Sequence, residues 1–245
     1  MNIDSFIKML VHGDPGIGKT TFLATALEIP ELCPILFLDM EGNTDSIKSK
    51  IKYIEVVMEK DVITGFSEEP VLDKLNCIRI KNDPQKVVDI CNYFYDNVLN
   101  MGYKTFMLDS LTAFDYQSIK KILKYSPFKN KLDPEIPVWE HFRKNLHTIS
   151  DIITSINDLD INFFCTAHSK YEDKKEMYYP CLTGELRSRI PGLLKHTGVM
   201  IEKNGKRLIR FQPKGIFYAK DCTEGSKLNG ELNANVKEVL EKLYG

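Results

Sequence analysis

The sequence has almost no net charge, no long hydrophobic run and no patterned cysteines. Its 245 residues carry a formal charge of −1, so any nucleic acid contact must come from local patches rather than from an overall basic field. No apolar run reaches the roughly 18 residues of a membrane-spanning helix, and the first residues do not resemble a secretion signal. The six cysteines form no C-x-x-C pair or metal-binding spacing, which is typical of free thiols in a reducing compartment. We therefore expect a cytoplasmic protein without membrane contact.

One complete motif stands near the start of the chain, a phosphate-binding loop of the pattern G-x-x-x-x-G-K-[ST]. It reads Gly13, Asp14, Pro15, Gly16, Ile17, Gly18, Lys19 and Thr20. An apolar stretch at 6–12 predicts a buried strand before the loop, and good helix formers follow at 21–28, which is the context that the motif requires. The alternative, a glycine-rich turn that contains Lys-Thr by chance, has odds on the order of one in a hundred from typical residue usage.

Each part of this loop suits a nucleoside triphosphate. The glycines let the backbone wrap a phosphate with its N–H groups inward, and the helix N-terminus up to Thr21 adds partial positive charge. Lys19 is expected to reach the β- and γ-phosphates, and the hydroxyl of Thr20 is expected to bind Mg²⁺. The sequence therefore predicts a nucleotide site at 13–21.

Strand and helix patterns alternate along most of the chain. Apolar runs predict strands at 35–39, 105–109 and 161–167, with shorter candidates at 53–57, 77–80 and 215–219. Helical patterns lie at 84–101, 111–124, 138–158 and, as a tail, 234–244. Two runs joined at Asn204-Gly205 predict a hairpin near the C-terminus. Alternating strands and helices predict a single α/β domain over 1–245, with a mostly parallel sheet flanked by helices.

Two carboxylates stand where such a site needs them. Asp109 ends the apolar run 105–109, where a carboxylate can hold Mg²⁺ through water, although a strand-end aspartate that caps the next helix is the alternative. Glu41 follows the strand at 35–39, at the edge of the sheet where ligands bind in open α/β folds. It is the candidate general base for an attacking water, and a solvated loop glutamate is the alternative.

The order of these motifs resembles the RecA-like P-loop ATPases. The shared features are the acidic pair Asp39 and Glu41, the apolar strand that ends at Asp109, and a later strand that ends in the polar residue His168. With the Gly-Asp-Pro-Gly form of the loop, the chain is most similar to phage-encoded RecA-like nucleotide-binding proteins, including the single-strand annealing type, over about 6–221.

The resemblance implies a RecA-like fold, ATP and Mg²⁺ as ligands, and a location in the host cytoplasm if the protein is phage-encoded. It also implies Glu41 as the catalytic base, Asp109 as the Mg²⁺ carboxylate and His168 as a sensor of the γ-phosphate. The recombinase members usually have glutamine at this last position, and an ordinary strand-end histidine is the alternative.

The resemblance further implies a homo-oligomer with ATP between subunits and a cation supplied by the neighbour. Arg210, Lys214 and Lys220 lie in the region where that cation is expected. Lys220 is our choice because Ala219-Lys220-Asp221 resembles an element of the phage family, although Cys222 replaces the arginine that usually follows.

Two segments are candidates for contact with single-stranded DNA. The first, 120–131, has five lysines, no acidic residue, and the aromatic residues Tyr125 and Phe128. Cations beside aromatic rings suit single strands, because phosphates need charge and bases need stacking surfaces. The second, 169–189, is rich in tyrosine and in both signs of charge. A solvated mobile loop is the alternative for both.

The sequence as a whole predicts a slow, Mg²⁺-dependent ATPase that oligomerises and acts on single-stranded DNA in recombination or annealing. A small-molecule or nucleoside kinase is one alternative, although arginine is scarce where such an enzyme needs a closing lid. The other is an assembly module that binds nucleotide without significant hydrolysis, for which Glu41 would have no purpose.

Overall fold

A computed structural model describes residues 5–59, 62–66, 70–130, 133 and 135–245. The strands among these residues are β1 (Lys8–Gly13), β2 (Ile35–Asp39), β3 (Ile51–Tyr53), β4 (Val57–Glu59), β5 (Val62–Thr64), β6 (Leu75–Arg79), β7 (Thr105–Asp109), β8 (Asn162–Glu172), β9 (Met177–Pro180), β10 (His196–Lys203), β11 (Lys206–Arg210), β12 (Lys220–Asp221) and β13 (Leu232–Asn233). The α-helices are α1 (Lys19–Ala24), α2 (Pro84–Met101), α3 (Leu111–Tyr125), α4 (Trp139–Asp158), α5 (Leu186–Leu193) and α6 (Val236–Tyr244). Short 3₁₀ turns lie at Thr25–Glu28, Pro30–Leu32 and Asp45–Lys50.

One large sheet organises the molecule. Its strands follow the order β13-β11-β10-β1-β8-β7-β2-β6-β3, with β12 beside β10 and β9 beside β8. The strands from β10 to β3 are all parallel, whereas β11, β12 and β13 add antiparallel pairs at the C-terminal edge. The strands β4 and β5 form a separate hairpin. The predicted α/β fold, with a mostly parallel sheet and a C-terminal antiparallel hairpin, is confirmed.

Two hydrophobic cores lie on opposite faces of this sheet. Within β8, Phe163 belongs to one core and Phe164 to the other, since successive side chains of a strand point to opposite faces. The first core includes Phe94 of α2, Phe114 of α3 and Ile153 of α4. The second includes Phe22 of α1 and Leu240 of α6. Because the central strands are buried on both faces, they read in the sequence as continuous apolar runs.

Local signals set several boundaries as the sequence predicts. Helix α2 begins at Pro84, where the side chain of Asp83 accepts a hydrogen bond from the backbone N–H of Lys86 at 3.4 Å, and it ends before Gly102 in the left-handed conformation. Ser110 caps α3 in the same way, through the N–H of Ala113. An aspartate or serine cap and a terminal glycine are common helix boundaries.

Other boundaries differ from the sequence expectation. The strand expected at 161–167 continues to Glu172, because its second half pairs with β9 instead of with the parallel sheet. The run 215–219 is not a strand in its own right; the third strand of the C-terminal region is the short β12, which pairs with β10. The candidate at 77–80 corresponds to β6, which begins two residues earlier, at Leu75. The candidate at 53–57 is not one strand, because β3 ends at Tyr53 and β4 begins at Val57.

All six cysteines are free, and Cys33, Cys77, Cys91 and Cys165 are buried. Among the helices of the described residues, none combines the length and the apolar character that crossing a membrane requires.

Candidate nucleotide-binding site

The phosphate-binding motif forms the turn between β1 and α1, as the sequence predicts. Gly16 and Gly18 have φ angles of 78° and 99°, a left-handed region that glycine adopts without strain. A Cβ at Gly13 would lie 3.0 Å from the Cγ2 of Ile17 and 3.1 Å from the carbonyl oxygen of Met200. The turn therefore needs these glycines for both conformation and space. Asp14, Pro15 and Gly16 are exposed at its tip, and Thr21 lies in the first turn of α1.

The ammonium group of Lys19 lies within this loop rather than in solvent. Its Nζ donates to the carbonyl oxygens of Gly13 at 3.0 Å and Asp14 at 2.9 Å, and lies 3.3 Å from the Nδ1 of His168. Burial lowers the pKa of Lys19, against the opposing effect of nearby carboxylates led by Glu41. The lysine is thus placed at the mouth of a loop whose shape suits a chain of phosphates.

Thr20 and Asp109 are in direct contact, which places a hydroxyl and a carboxylate side by side. The hydroxyl of Thr20 donates to the Oδ2 of Asp109 at 2.6 Å, and the hydroxyl of Thr166 donates to the other carboxylate oxygen. Burial raises the pKa of Asp109, and the two hydroxyl donors partly offset this effect. A hydroxyl and a carboxylate are the hard oxygen ligands that Mg²⁺ prefers, often only one or two from the protein with water completing the shell. These residues fit that ion.

Glu41 is half-buried and held by two partners, so it is not a solvated loop residue. Its Oε1 lies 3.0 Å from the Nε2 of His168 and accepts a hydrogen bond from the hydroxyl of Ser110. The hydrogen bond from His168 is the main cause that lowers the pKa of Glu41, and the bond from Ser110 acts in the same direction. The side chain is therefore a carboxylate at neutral pH.

The register of the sheet brings these groups together. Gly13 of β1 is paired with His168 of β8, and Asp39 of β2 is paired with Asp109 of β7. The carboxyl ends of parallel strands meet at one edge, where ligands bind in open α/β folds. Residues from four neighbouring strands, far apart in sequence, thereby converge on one site.

The turn that carries Glu41 is stabilised by residues that the sequence analysis assigned no such role. Asp39 Oδ1 accepts hydrogen bonds from the backbone N–H groups of Glu41 at 3.1 Å and Gly42 at 2.7 Å. The other oxygen of Asp39 accepts from the Nε of Arg79 at 3.1 Å, and Arg79 also donates to the carbonyl of Gly42 at 2.9 Å. The spacing of Asp39 and Glu41 signals the turn, but Arg79 is apparent only once β6 pairs with β2.

Two of the three cations considered for a neighbouring subunit's site, Lys220 and Arg210, are already bonded within this chain. The Nζ of Lys220 donates to three carbonyl oxygens at the end of α5, those of Pro191 (3.0 Å), Gly192 (3.2 Å) and Leu194 (2.8 Å). Arg210 is buried and donates to the carbonyl oxygen of Lys214. A role for these residues across a subunit interface stays a prediction.

The first candidate DNA segment lies at the exposed end of α3 and beyond. Tyr125 and Phe128 are 70% and 57% exposed, and the ammonium of Lys124 lies 5.3 Å from the centre of the Tyr125 ring. Lys129 donates to the carbonyl of Leu123, and Lys131 lies outside the described residues. A groove of about 740 Å³ runs beside this segment between α2, α3 and α4, and its lining includes Lys121, Tyr125, Phe128, Arg143 and Lys144.

The second candidate segment is an ordered structure rather than a loop. It contains the last residues of β8, the strand β9 and the first half of α5. Tyr178 stacks on Phe217 and Tyr179 on Tyr218, each pair with ring centres 5.0 Å apart. The alternative of a solvated mobile loop at 169–189 does not hold, since these rings pack against the chain itself, and contact of this segment with DNA stays a prediction.

Comparison with known proteins supports the same type of site. The model of a family described as AAA domain matches residues 5–223. No curated protein matches this chain. A prototypical ATPase from the type III secretion system of pathogenic bacteria has a similar fold, with a TM-score of 0.52, 10% sequence identity, and coverage of 80% of this chain and 51% of that chain. The chain thus spans about half the length of that ATPase.

Two further solved structures are less similar. One is the flagellar accessory protein FlaH from Methanocaldococcus jannaschii, with a TM-score of 0.45, 12% identity and coverage of 88% of this chain and 84% of that chain. The other is the assembled ATPase EscN from the type III secretion system of enteropathogenic E. coli, with a TM-score of 0.48, 12% identity and coverage of 79% of this chain and 43% of that chain. At these identities the likeness concerns the fold alone.

Proposed function

The chain belongs to the AAA domain family that matches residues 5–223, and on that premise we propose that it binds ATP with Mg²⁺ and slowly hydrolyses it. The observation that carries this proposal is the position of Glu41. Its carboxylate is held by His168 and Ser110 at the same edge of the sheet as Lys19 and the Thr20–Asp109 pair. A domain that only bound nucleotide would not need an ionised carboxylate there.

Each residue of the site has a separate role in the proposed phosphoryl transfer. The loop at 13–21 wraps the phosphates with backbone N–H groups, and Lys19 neutralises charge on the β- and γ-phosphates. Thr20 and Asp109 hold Mg²⁺, which when bound withdraws charge from the phosphate oxygens. Glu41 orients the attacking water and accepts its proton. His168, bonded to Glu41 through one ring nitrogen, lies 3.3 Å from the Nζ of Lys19 through the other, where it can respond to the γ-phosphate.

The direct test is phosphate release by the purified protein with ATP, in Mg²⁺ and in excess EDTA, with and without a single-stranded oligonucleotide. We expect turnover that requires Mg²⁺. Binding of ATP without turnover in any condition would favour the nucleotide-dependent assembly module. Turnover only when a small acceptor such as a nucleoside is added would favour the kinase.

His168 should control the pH dependence of this hydrolysis. Its hydrogen bond is the main cause that lowers the pKa of Glu41, so the His168→Ala variant should have a higher Glu41 pKa. The base is then protonated at a higher pH, and the acidic limb of the kcat profile should move to higher pH. Turnover measured over a pH series at saturating ATP gives the limb.

The conservative variant is the control for that measurement. His168→Gln retains an amide donor for Glu41, so its acidic limb should stay close to that of the wild type. An unchanged limb in His168→Ala would contradict the assignment of Glu41 and His168 as a coupled pair.

We further propose that the protein forms a homo-oligomer and handles single-stranded DNA, as the resemblance to the phage annealing type implies. The surface at the end of α3 supports the DNA proposal. Beside Tyr125 and Phe128, the guanidinium of Arg143 lies 5.1 Å from the centre of the exposed Trp139 ring. Exposed aromatic rings with adjacent cations suit stacked bases and their phosphates.

Substitutions on this surface should separate phosphate contacts from base stacking. Lys124→Ala and Arg143→Ala should each weaken single-strand binding and reduce the slope of log affinity against log salt by about 0.7 per lost phosphate contact. Phe128→Ala should cost about 1–3 kcal/mol with little change in slope. Fluorescence anisotropy of a labelled oligonucleotide at several salt concentrations measures both effects.

Lys242→Ala is the matched control, because Lys242 is exposed on α6, which packs in the core on the other face of the sheet. It should leave both affinity and slope unchanged. Unchanged binding in all three variants at the end of α3 would remove this surface from the DNA proposal.

A further inference from the structure

Arg207 of β11 lies directly against the phosphate-binding loop. A Cβ built on Gly18 would stand 2.8 Å from the Nη1 of Arg207 and 3.2 Å from its Cζ. Since real Cβ atoms do not approach other groups as closely as 2.8 Å, the guanidinium occupies the space that the missing side chain of Gly18 leaves open. The arginine thus contacts the loop from the same protomer, from a part of the chain far from the motif.

The guanidinium of Arg207 has no hydrogen-bond or ion-pair partner among the described residues, whereas two other cations of β10 and β11 are paired. Lys203 and Arg210 both contact Glu231, at 2.9 Å and 3.8 Å. The backbone of Arg207 is nevertheless held in the sheet. Arg207 pairs with Glu202 of β10, and its carbonyl oxygen accepts a hydrogen bond from the N–H of Ala234 at 3.0 Å. A firmly held strand therefore presents an unpaired positive charge at the loop, an arrangement that suits an anionic ligand.

The strand order indicates which end of the nucleotide this charge meets. Strand β1 lies between β8, which carries His168, and β10, which is followed by β11. In the proposed site the γ-phosphate lies beside Glu41 and His168, and therefore on the β8 side. The α-phosphate, at the other end of the triphosphate, then lies on the side of β10 and β11.

From this placement we propose that Arg207 binds the α-phosphate of the nucleotide held by its own protomer. The inference rests on the proposed ATP site and adds a residue to it. Because the contact is remote from the phosphorus that reacts, Arg207 contributes equally to the bound substrate and to the transition state. Its loss should raise KM and leave kcat unchanged.

The test compares Arg207→Ala with the wild type for ATP and for inorganic tripolyphosphate, by isothermal titration calorimetry. We expect Arg207→Ala to weaken both ligands by a similar factor of about 10–10², since one charge-assisted hydrogen bond is lost. Lys206→Ala is the control, because Lys206 is the exposed neighbour on the same strand and its side chain points to the opposite face of that strand; its affinities should equal those of the wild type. Circular dichroism and the melting temperature establish that both variants are folded.

Three results would overturn the assignment. The first is unchanged affinity of Arg207→Ala for both ligands. The second is weaker binding of ATP with unchanged binding of tripolyphosphate, which would place the arginine on the base. The third is a lower kcat at unchanged KM, which would place the arginine on the γ-phosphate. A wild-type protein that does not bind ATP would instead overturn the proposed function itself.

Discussion

The Glu41→Gln variant should retain ATP binding and hydrolyse ATP about 10²–10⁴-fold more slowly than the wild type, the usual contribution of a general base. Glutamine has nearly the shape of glutamate and keeps an oxygen that accepts the hydrogen bond from Ser110. It cannot accept the proton of the attacking water. The variant should therefore have a lower kcat, while its dissociation constant for ATP stays within a few-fold of the wild-type value.

Phosphate release under single-turnover conditions, together with equilibrium ATP titration, separates the two quantities. Glu55→Gln is the matched control, since Glu55 is an exposed glutamate outside the site and should hydrolyse ATP normally. If Glu41→Gln turned over at the wild-type rate, Glu41 would not be the base, and the proposed mechanism would lose its central residue.

The Lys19→Ala variant should lose most of its affinity for ATP while keeping its fold. In the proposed site the lysine donates to two phosphates, and each charge-assisted hydrogen bond is worth about 1.5–3 kcal/mol. The two together correspond to a loss of about 10²–10⁴-fold in affinity. The side chain contacts loop carbonyls rather than either hydrophobic core, so its removal leaves the packing of the sheet intact.

Equilibrium titration with ATP decides this prediction, and thermal unfolding verifies that the variant is folded. Lys81→Ala serves as the charge-matched control, because Lys81 is exposed beyond the end of β6. Affinity of Lys19→Ala within a few-fold of the wild type would remove the lysine from the phosphate site.

Much of the fold could be predicted from the sequence because helices cover both faces of the central sheet. Strands such as β2 and β7 are buried on both sides and therefore stand out as short apolar runs between polar segments. An apolar run that is not a strand of the central sheet gives a misleading prediction. The apolar run at 215–219 packs its rings, including Phe217, on tyrosines of β9, and periodicity does not distinguish that use from a strand.

The site was predictable only where its chemistry is local in sequence. The loop at 13–21 is contiguous, and Asp109 and Glu41 follow apolar strands, so each has a signal of its own. Arg79 acts through Asp39, Arg207 acts through the space beside Gly18, and Lys220 finds its carbonyl acceptors at the end of α5. These roles depend on which strands become neighbours, and the pairing of distant strands cannot be read from spacing.

The hydrogen bond from Thr20 to Asp109 fixes the rotation of the threonine hydroxyl. Its single proton points at the carboxylate, so the lone pairs of the oxygen face the rest of the site. The hydroxyl oxygen of Thr20 therefore presents its lone pairs to a cation that enters the site. Its proton stays on the hydrogen bond to Asp109 and does not have to leave when the cation binds. The Thr166 hydroxyl, bonded to the other oxygen of Asp109, restrains the carboxylate in the same way. Serine at position 20 would preserve this orientation, whereas valine, of almost the same shape, would leave both the carboxylate and the cation without their shared partner.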